Sequence, residues 1–303
     1  MGAEIWPVTE NFVAEIGDVD LSLPLGEADW LQIEQAYHRY SVLIFPDQHL
    51  SQDQHVAFAR RFGAIDRSMV VQMAAATAKR VPPDIADVSN LDPDGNVMTA
   101  GNRLGQFQRA NRLWHTDSSF KHIPANASLL YMRSIPPVGG MTEFADMAAA
   151  WDALAEDFRR RIEGRVAIHS IAISRAKLGF EMSEEENASY PRVPQAMVRT
   201  HRSSGRRSIY VASHAGHIVD MADTEAVALI EQLTAHATQR QFVYSHRWRV
   251  NDVVVWDNTC TMHRGRPFDD LRWPRDAQRA TSMDVDNTCV QEGLEVGAAV
   301  AVR

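Results

Sequence analysis

Cysteine is scarce. Cys260 and Cys289 are the only two among 303 residues, which excludes a disulfide-framed scaffold and points to packing thiols in a reducing compartment. Long apolar runs are missing as well: Ser41 to Phe45 and Val253 to Trp256 fall far short of the roughly 20 residues that a membrane helix requires. Net positive charge is also lacking. The 31 Lys and Arg against 39 Asp and Glu leave −8, so a phosphate backbone is repelled and nucleic acid is not an expected partner. Met1 to Trp6 has neither the basic and apolar regions of an export signal nor the Ser or Thr of a myristoylation motif. These absences predict a soluble, cytoplasmic protein, without membrane contact and expected as a homo-oligomer. A small anionic substrate is compatible with this charge, because a pocket needs only local cations.

What is present is an ordinary globular composition, 45% hydrophobic and 23% charged, ample for a buried core. Trp30, Ile33, Tyr37 and Tyr40 recur at helical spacing, and Val42 to Phe45 reads as a buried strand closed by Pro46. Ser51 and Gln54 form a capping box ahead of Val56, Phe58, Ala59 and Phe62, with Gly63 as the stop. Residues 64–112 are punctuated by Pro82, Pro83, Pro93 and Gly95, and predict loops with one strand over Ile85 to Asn90. Loops of that length are candidate covers for a binding site, or else plain surface. Beyond Ala127, β-type runs over Ser128 to Arg133, Val166 to Ile173, Met197 to His201, Ser208 to Ala212, Gln241 to Trp248 and Val253 to Trp256 predict a sandwich or barrel. Helical insertions are expected over Met147 to Ile162 and Thr224 to Ala237. No repeat or linker divides the chain, so one domain is expected over residues 1–303.

Trp114-His115-Thr116-Asp117 sets a histidine and a carboxylate two residues apart, and on a strand such residues point to one face and can grip one ion. With 12 His and 23 Asp in the chain, chance alone yields about one such triplet, so the motif needs partners. Met262-His263-Arg264-Gly265 reads as the exit of the Val253 to Trp256 strand and brings a second histidine out of the core. Two histidines and a carboxylate from distant segments match the ligand set of non-haem Fe(II) oxygenases, which leaves open positions for chemistry; zinc accepts the same set. Arg275, Ala277, Arg279 and Thr281 share one face of an extended run. Arginines turned inward call for bound carboxylates, whereas an exposed basic stretch is the plainer reading. His214 and His217 either line a pocket or serve structure, His201 reads as part of a hairpin turn, and Trp256 and Asn258 are expected to brace the strand presenting His263.

The order His-x-Asp, distant His, then Arg-x-x-x-Arg resembles the Fe(II)/α-ketoglutarate-dependent dioxygenases of the taurine dioxygenase and 2,4-dichlorophenoxyacetate dioxygenase family. The likeness runs nearly end to end, through Val42-Leu43-Ile44-Phe45-Pro46, Leu50-Ser51-x-Asp53-Gln54, Leu113 to Asp117, Pro136-Pro137-x-Gly139-Gly140-x-Thr142, and Val255-Trp256-Asp257-Asn258 leading to His263-Arg264. It implies a mainly β fold with helical insertions, a double-stranded β-helix or jelly roll of the clavaminate synthase-like kind. Residues 1–112 would supply N-terminal helices, strands and substrate loops, 113–285 the metal-binding core, and 286–303 a tail. The resemblance further implies a catalytic Fe(II) triad of His115, Asp117 and His263. α-Ketoglutarate would place its distal carboxylate on Thr142 and Arg275, with Arg279 orienting the cosubstrate or the anionic end of the substrate. O2 would be the oxidant, succinate and CO2 the coproducts, and the retained Asp117 implies hydroxylation rather than halogenation. The loop Pro267 to Pro274 is longer than the family pattern, which loosens the assignment of the two arginines.

Gly140-Met141-Thr142-Glu143-Phe144-Ala145-Asp146-Met147 and His236-Ala237-Thr238-Gln239-Arg240-x-Phe242-Val243-Tyr244 resemble the aryloxyalkanoate branch, the herbicide-degrading type. There, hydroxylation beside an ether oxygen gives a hemiacetal that collapses to a phenol plus glyoxylate or an α-keto acid. Val71, Met73, Asn90, His214 and Arg279 are the expected substrate-facing residues, and Met69 and Val70 also suit an aryl ring. Alternatives of the same class are a taurine or alkylsulfonate dioxygenase and a hydroxylase of another small carboxylate. A zinc-dependent hydrolase would leave Thr142 and the arginine pair without purpose, and a non-catalytic jelly-roll binding protein would need a damaged triad.

Overall fold

The computed structural model describes residues 2–67 and 80–296; Met69, Val70, Val71 and Met73 lie outside the described residues. In chain order, β1 (Glu4–Pro7), β2 (Val13–Gly17), helix α1 (Glu27–Tyr40), β3 (Val42–Phe45) and α2 (Gln52–Ala59) come first, then β4 (Ala86–Asp87) and α3 (Arg103–Gln108). The remainder runs β5 (Ala125–Ser134), β6 (Thr142–Asp146), α4 (Met147–Asp152), α5 (Glu156–Ile162), β7 (Val166–His169), α6 (Ile171–Ala176), α7 (Glu184–Ser189), β8 (Val193–Ala196), β9 (Val198–Thr200) and β10 (Arg207–Ile209). It ends with β11 (Ala215–Ile218), α8 (Asp223–Ala237), β12 (Val243–His246), β13 (Val253–Asp257), β14 (Thr261–Gly265), β15 (Asp276–Met283) and α9 (Thr288–Gln291).

Seven strands make one mixed sheet in the order β1-β2-β3-β13-β5-β15-β4, with β2 and β3 parallel. Strand alternation sorts its faces. Leu43, Phe45, Leu129, Tyr131, Val253 and Val255 pack with Trp30, Ile33, Tyr37 and Tyr40 of α1 and Phe58 of α2. Val42, Ile44, Leu130, Met132, Val254 and Trp256 pack instead against Phe144 of β6. A second sheet, β12-β6-β14, is backed by α4, α5 and α8 through Met262, Ala145, Trp151, Ile162, Leu229 and Leu233. The capping box at Ser51 forms as its spacing predicts, with Gln54 N–H on Ser51 Oγ and Ser51 N–H on Gln54 Oε1.

The expected closed jelly roll is corrected. What forms is a mixed sheet-and-helix fold, related to the double-stranded β-helix superfamily, whose sheets are not closed into a barrel. Closure requires every edge strand to find a partner. The large sheet instead ends at β1, which carries Pro7, and at β4, only two residues long. β14 is the free edge of the second sheet, and beyond its pairing with β6 it meets only a one-residue bridge, His115 to His263.

Local expectations shift too. The run from Val166 ends at His169, because Ser170 N–H turns to the His214 carbonyl (2.9 Å) and α6 follows. The insertion over 147–162 breaks at Ala153: Asp146 caps α4 through the N–H groups of Ala148 and Ala149, and Glu156 and Asp157 start a fresh helix with acids in its first turn. The strand expected over 85–90 shrinks to Ala86–Asp87. His263 lies on the returning strand β14 rather than at the exit of β13, and Asp117 begins a turn instead of continuing a strand. His201 lies in the turn that joins β9 to β10, as expected, and is buried there with Nε2 3.0 Å from Asp257.

Candidate metal centre

His115 and His263 face each other across their bridge, N–H to carbonyl in both directions at 3.0 and 2.8 Å. This fixes two imidazoles side by side, ring centroids 4.1 Å apart. Asp117, displaced by the turn after His115, reaches between them: its Oδ1 is 3.8 Å from His115 Nε2 and its Oδ2 3.8 Å from His263 Nε2. Those separations are too long for hydrogen bonds and suit donors sharing an ion. The three donor atoms lie within 4.8 Å of one another, and all three residues are buried.

Each donor is held in a ligating state. His115 Nδ1 meets the Leu113 carbonyl at 2.8 Å; with the proton assigned to that nitrogen, the Nε2 lone pair points inward. His263 Nδ1 is buried without a hydrogen-bond partner, and its ring is wedged against Trp256 (4.6 Å) and His115. Desolvation lowers both imidazole pKa values, that of His263 further because His115 stands beside it, so both rings are neutral. Burial alone would raise Asp117; the Arg279 guanidinium, with the two flanking imidazoles and the Ser128 hydroxyl, outweighs it and brings the carboxyl to about 2. Ser128 Oγ donates to Asp117 Oδ2 at 2.7 Å, and Arg279 Nη1 donates to Oδ1. A carboxylate oxygen has two lone pairs, so each keeps one for an ion. Asn258 ties this scaffold together. Its Oδ1 accepts from Asp117 N–H and Trp256 Nε1, both at 3.1 Å, and its Nδ2 donates to Ser128 Oγ at 2.9 Å.

A cleft of about 980 Å³, counting its open mouth, extends from the triad past Thr142, Arg275 and Arg279. Arg275 has no carboxylate partner among the described residues, and burial pulls its guanidinium down to about 10. Thr142 Oγ1 accepts from Trp248 Nε1 at 3.0 Å, which leaves its own proton to donate. Two glycines shape the turn that delivers Thr142. Gly139 and Gly140 have φ of +80° and +71°, and a Cβ on Gly139 would stand 2.5 Å from the Pro267 carbonyl. Asn90 lines the same cleft and spends its amide on the 267–274 loop: Nδ2 donates to the carbonyls of Asp270 (2.7 Å) and Trp273 (2.9 Å), and Oδ1 accepts Arg275 N–H (2.8 Å).

His214 sits on the other side of the triad, its ring 6.1 Å from His115 and Nδ1 3.1 Å from Ser119 Oγ, while His217 turns outward to Asp223. Cys260 and Cys289 are buried free thiols. Among the described residues, no helix is long and apolar enough to cross a membrane. Sequence reasoning missed Ser128 and the role of Asn258 on Asp117, since nothing local links residues 117, 128 and 258.

Two neutral imidazoles and one carboxylate anion, converging beside a cationic cleft, define a mononuclear centre of the oxygenase type. The comparisons give the class its family. The chain belongs to the taurine catabolism dioxygenase TauD, TfdA family, Fe(II)/α-ketoglutarate-dependent oxidoreductases, whose family model matches residues 4–281. It is 41% identical over 281 residues to the α-ketoglutarate-dependent 2,4-dichlorophenoxyacetate dioxygenase of Cupriavidus pinatubonensis, covering 92% of this chain and 96% of that one. It is 34% identical over 275 residues to the (S)-phenoxypropionate/α-ketoglutarate-dioxygenase of Sphingobium herbicidovorans, covering 88% and 90%. Among solved structures, AAD-2 in complex with Mn(II) and N-oxalylglycine superposes with a TM-score of 0.86 at 41% identity, over 95% of this chain and 99% of that one.

Proposed function

We propose that the chain hydroxylates an aryloxyalkanoate at the carbon between its ether oxygen and its carboxylate. The hemiacetal so formed collapses to a phenol plus glyoxylate, or plus an α-keto acid when that carbon carries a methyl group. The observation that carries this reading is the buried His115, Asp117 and His263 set opening onto a cleft whose Arg275 lacks a counter-charge. The relatives named for 2,4-dichlorophenoxyacetate and phenoxypropionate support the choice of substrate.

Fe(II), with α-ketoglutarate and O2, supplies the oxidising power that replaces C–H by C–OH and yields succinate and CO2. The protein's own work is placement. His115, Asp117 and His263 hold the ion. Arg275 receives the distal carboxylate of α-ketoglutarate as a planar fork, and Thr142 adds a hydroxyl donor. Arg279 keeps Asp117 ionised and borders the cosubstrate cleft. The apolar walls exclude water, and His214 lies on the substrate side. Asn90 acts through Arg275, by holding the loop that precedes it.

The test is an anaerobic titration of Fe(II)-loaded protein with α-ketoglutarate, followed by a panel of aryloxyalkanoates, sulfonates and amino acids. A visible charge-transfer band should form and shift with aryloxyalkanoates, and admitting O2 should release phenol and succinate in equal amounts. Arg275→Gln should weaken α-ketoglutarate binding roughly 10- to 100-fold while the protein still binds Fe(II). A band that responds to taurine or alkylsulfonates alone would refute the aryloxyalkanoate assignment.

A further inference from the structure

Two guanidiniums desolvated by burial, Arg175 and Arg275, have no carboxylate partner among the described residues. Arg175, on α6, borders a second cavity that His115 and Asp117 line and Phe107, Phe120 and Ile171 wall. It lies over the Phe107 ring, 4.0 Å from the centroid, and its Nη1 donates to Ser174 Oγ at 2.9 Å. Arg275 borders the cosubstrate cleft, where Nη1 meets the Val88 carbonyl at 3.4 Å and the Thr142 hydroxyl shares the wall. The turn that delivers Thr142 comes close, for a Cβ on Gly140 would stand 3.6 Å from Arg275 Cδ. A threonine hydroxyl is by itself ambiguous, one donor and two acceptor lone pairs on a rotor. Here the rotor is committed. Trp248 Nε1 donates to Thr142 Oγ1 at 3.0 Å, and an indole N–H can only donate, so the Thr142 proton points away from the ring. No acceptor among the described residues takes that proton.

The indole is fixed from behind. His246 stands directly opposite Thr142 in the β12–β6 register and packs edge-on against Trp248, ring centroids 4.6 Å apart. Its Nε2 is 3.0 Å from Asp252 Oδ2, and the fully buried Asp252 also accepts Arg249 N–H and Arg249 Nε–H, each at 3.0 Å. These bonds close the turn that carries Trp248, whose ring packs among Phe144, Trp256 and Ala277. We propose that Trp248 is a positioning residue that sets cosubstrate selectivity: by occupying a lone pair of Thr142 it turns the hydroxyl into a donor toward the cleft. This rests on the cosubstrate placement given above. Thr142 and Arg275 then offer donors alone, and a distal carboxylate answers them with acceptors alone. An amide of the same shape sets its NH2 against a donor, or leaves one unmet. Without the indole N–H, Thr142 can rotate and accept, and the amide gains a partner.

The test is calorimetric binding of N-oxalylglycine, an α-ketoglutarate isostere with the same distal carboxylate, and of its glycinamide counterpart to the anaerobic Fe(II) protein. Wild type, Trp248→Phe, Thr142→Val and the double variant are compared, with melting of the metal-free proteins alongside. Trp248→Phe should bind the acid roughly 5- to 20-fold more weakly and the amide as well as or better than the wild type, so the preference for the acid narrows. Thr142→Val should narrow it by a similar factor, and Trp248→Phe should change it by less than about twofold once Thr142 is replaced. Thr142→Val strands the indole N–H, so in melting the double variant should recover part of what Thr142→Val loses. An unchanged preference in Trp248→Phe, an equal loss for acid and amide, or full additivity of the two substitutions would each overturn the inference, the last two by making Trp248 a packing residue alone. Should Trp248→Phe fail to fold, Thr142→Val decides, and a preference it leaves unchanged overturns the inference. A wild type that binds the acid no better than the amide would bring down the cosubstrate placement and this inference together, whereas a discriminating wild type with an equally discriminating Trp248→Phe brings down only the inference.

Discussion

Asn258→Ala tests whether the position of Asp117 is built by hydrogen bonds rather than by the ion. Asn258 is fully buried, and its side chain makes three bonds, two accepted at Oδ1 and one donated by Nδ2. Truncation orphans Asp117 N–H and Trp256 Nε1–H, while Ser128 loses one donor and keeps its bond to Asp117. Each orphaned buried group costs about 1–3 kcal/mol. The space left is close to one water molecule, which can re-satisfy part of the deficit, so the lower half of the range applies and the total is about 2–4 kcal/mol. The assay is urea unfolding of the metal-free protein, with Fe(II) affinity measured separately. Fe(II) affinity should fall roughly 10- to 100-fold, because the turn that aims the carboxylate loses its anchor. A loss below about 1 kcal/mol with unchanged Fe(II) affinity would refute the view that Asn258 positions Asp117.

Two further outcomes follow from groups away from the triad. His169 is fully buried with both ring nitrogens unpartnered, and desolvation takes its pKa to about 3, while burial takes that of His55 to about 4. Both are neutral when folded and protonate near the ordinary histidine value when unfolded, so the unfolded state binds more protons and stability falls as pH drops below about 6.5. Replacing His169 by Phe should leave the melting temperature at pH 7.5 nearly unchanged and reduce the loss between pH 7.5 and 5, measured by calorimetry; an undiminished loss would count against this source of acid sensitivity. Gly139→Ala forces a Cβ against the Pro267 carbonyl at a positive φ. It should cost about 1–3 kcal/mol in urea unfolding and weaken α-ketoglutarate binding, because the turn and the 267–274 loop move together.

The elements legible in the sequence are those whose evidence is local. The Trp30, Ile33, Tyr37 and Tyr40 stripe, the Ser51 capping box and the apolar run at Val253 specify α1, α2 and β13 by period, cap and composition. The triad was legible by donor type and order, whereas spacing alone could not have given it, since residues 117 and 263 meet only through the fold. Openness of the sheets was not legible. Whether an edge strand finds a partner depends on where β14 and the 113–117 segment separate, and the alternation within each strand is the same in a closed or an open sheet. Arg175 left only a faint signal, a basic residue within the acid-free stretch 171–180. That pattern marks an unpaired cation only once burial is known.

Charge placement explains how an acidic chain can favour acidic ligands. The net charge is −8, yet among the described residues along both cavities every other charged side chain has an opposite charge within 3.8 Å: Arg109 and Arg112 on Asp270, Arg266 on Glu143, Lys121 on Asp66, Arg80 on Asp87 and Arg279 on Asp117. The two left over, Arg275 and Arg175, are both cations whose pKa is lowered by burial. At Arg275, a neutral ligand of the same shape would gain nothing, whereas a carboxylate would relieve a desolvation cost that the folded chain already bears. Selectivity for acids thus arises from what the protein withholds, and replacing Arg275 by an apolar residue of similar volume should leave the melting temperature of the ligand-free protein unchanged or raised, a lowered one counting against this account.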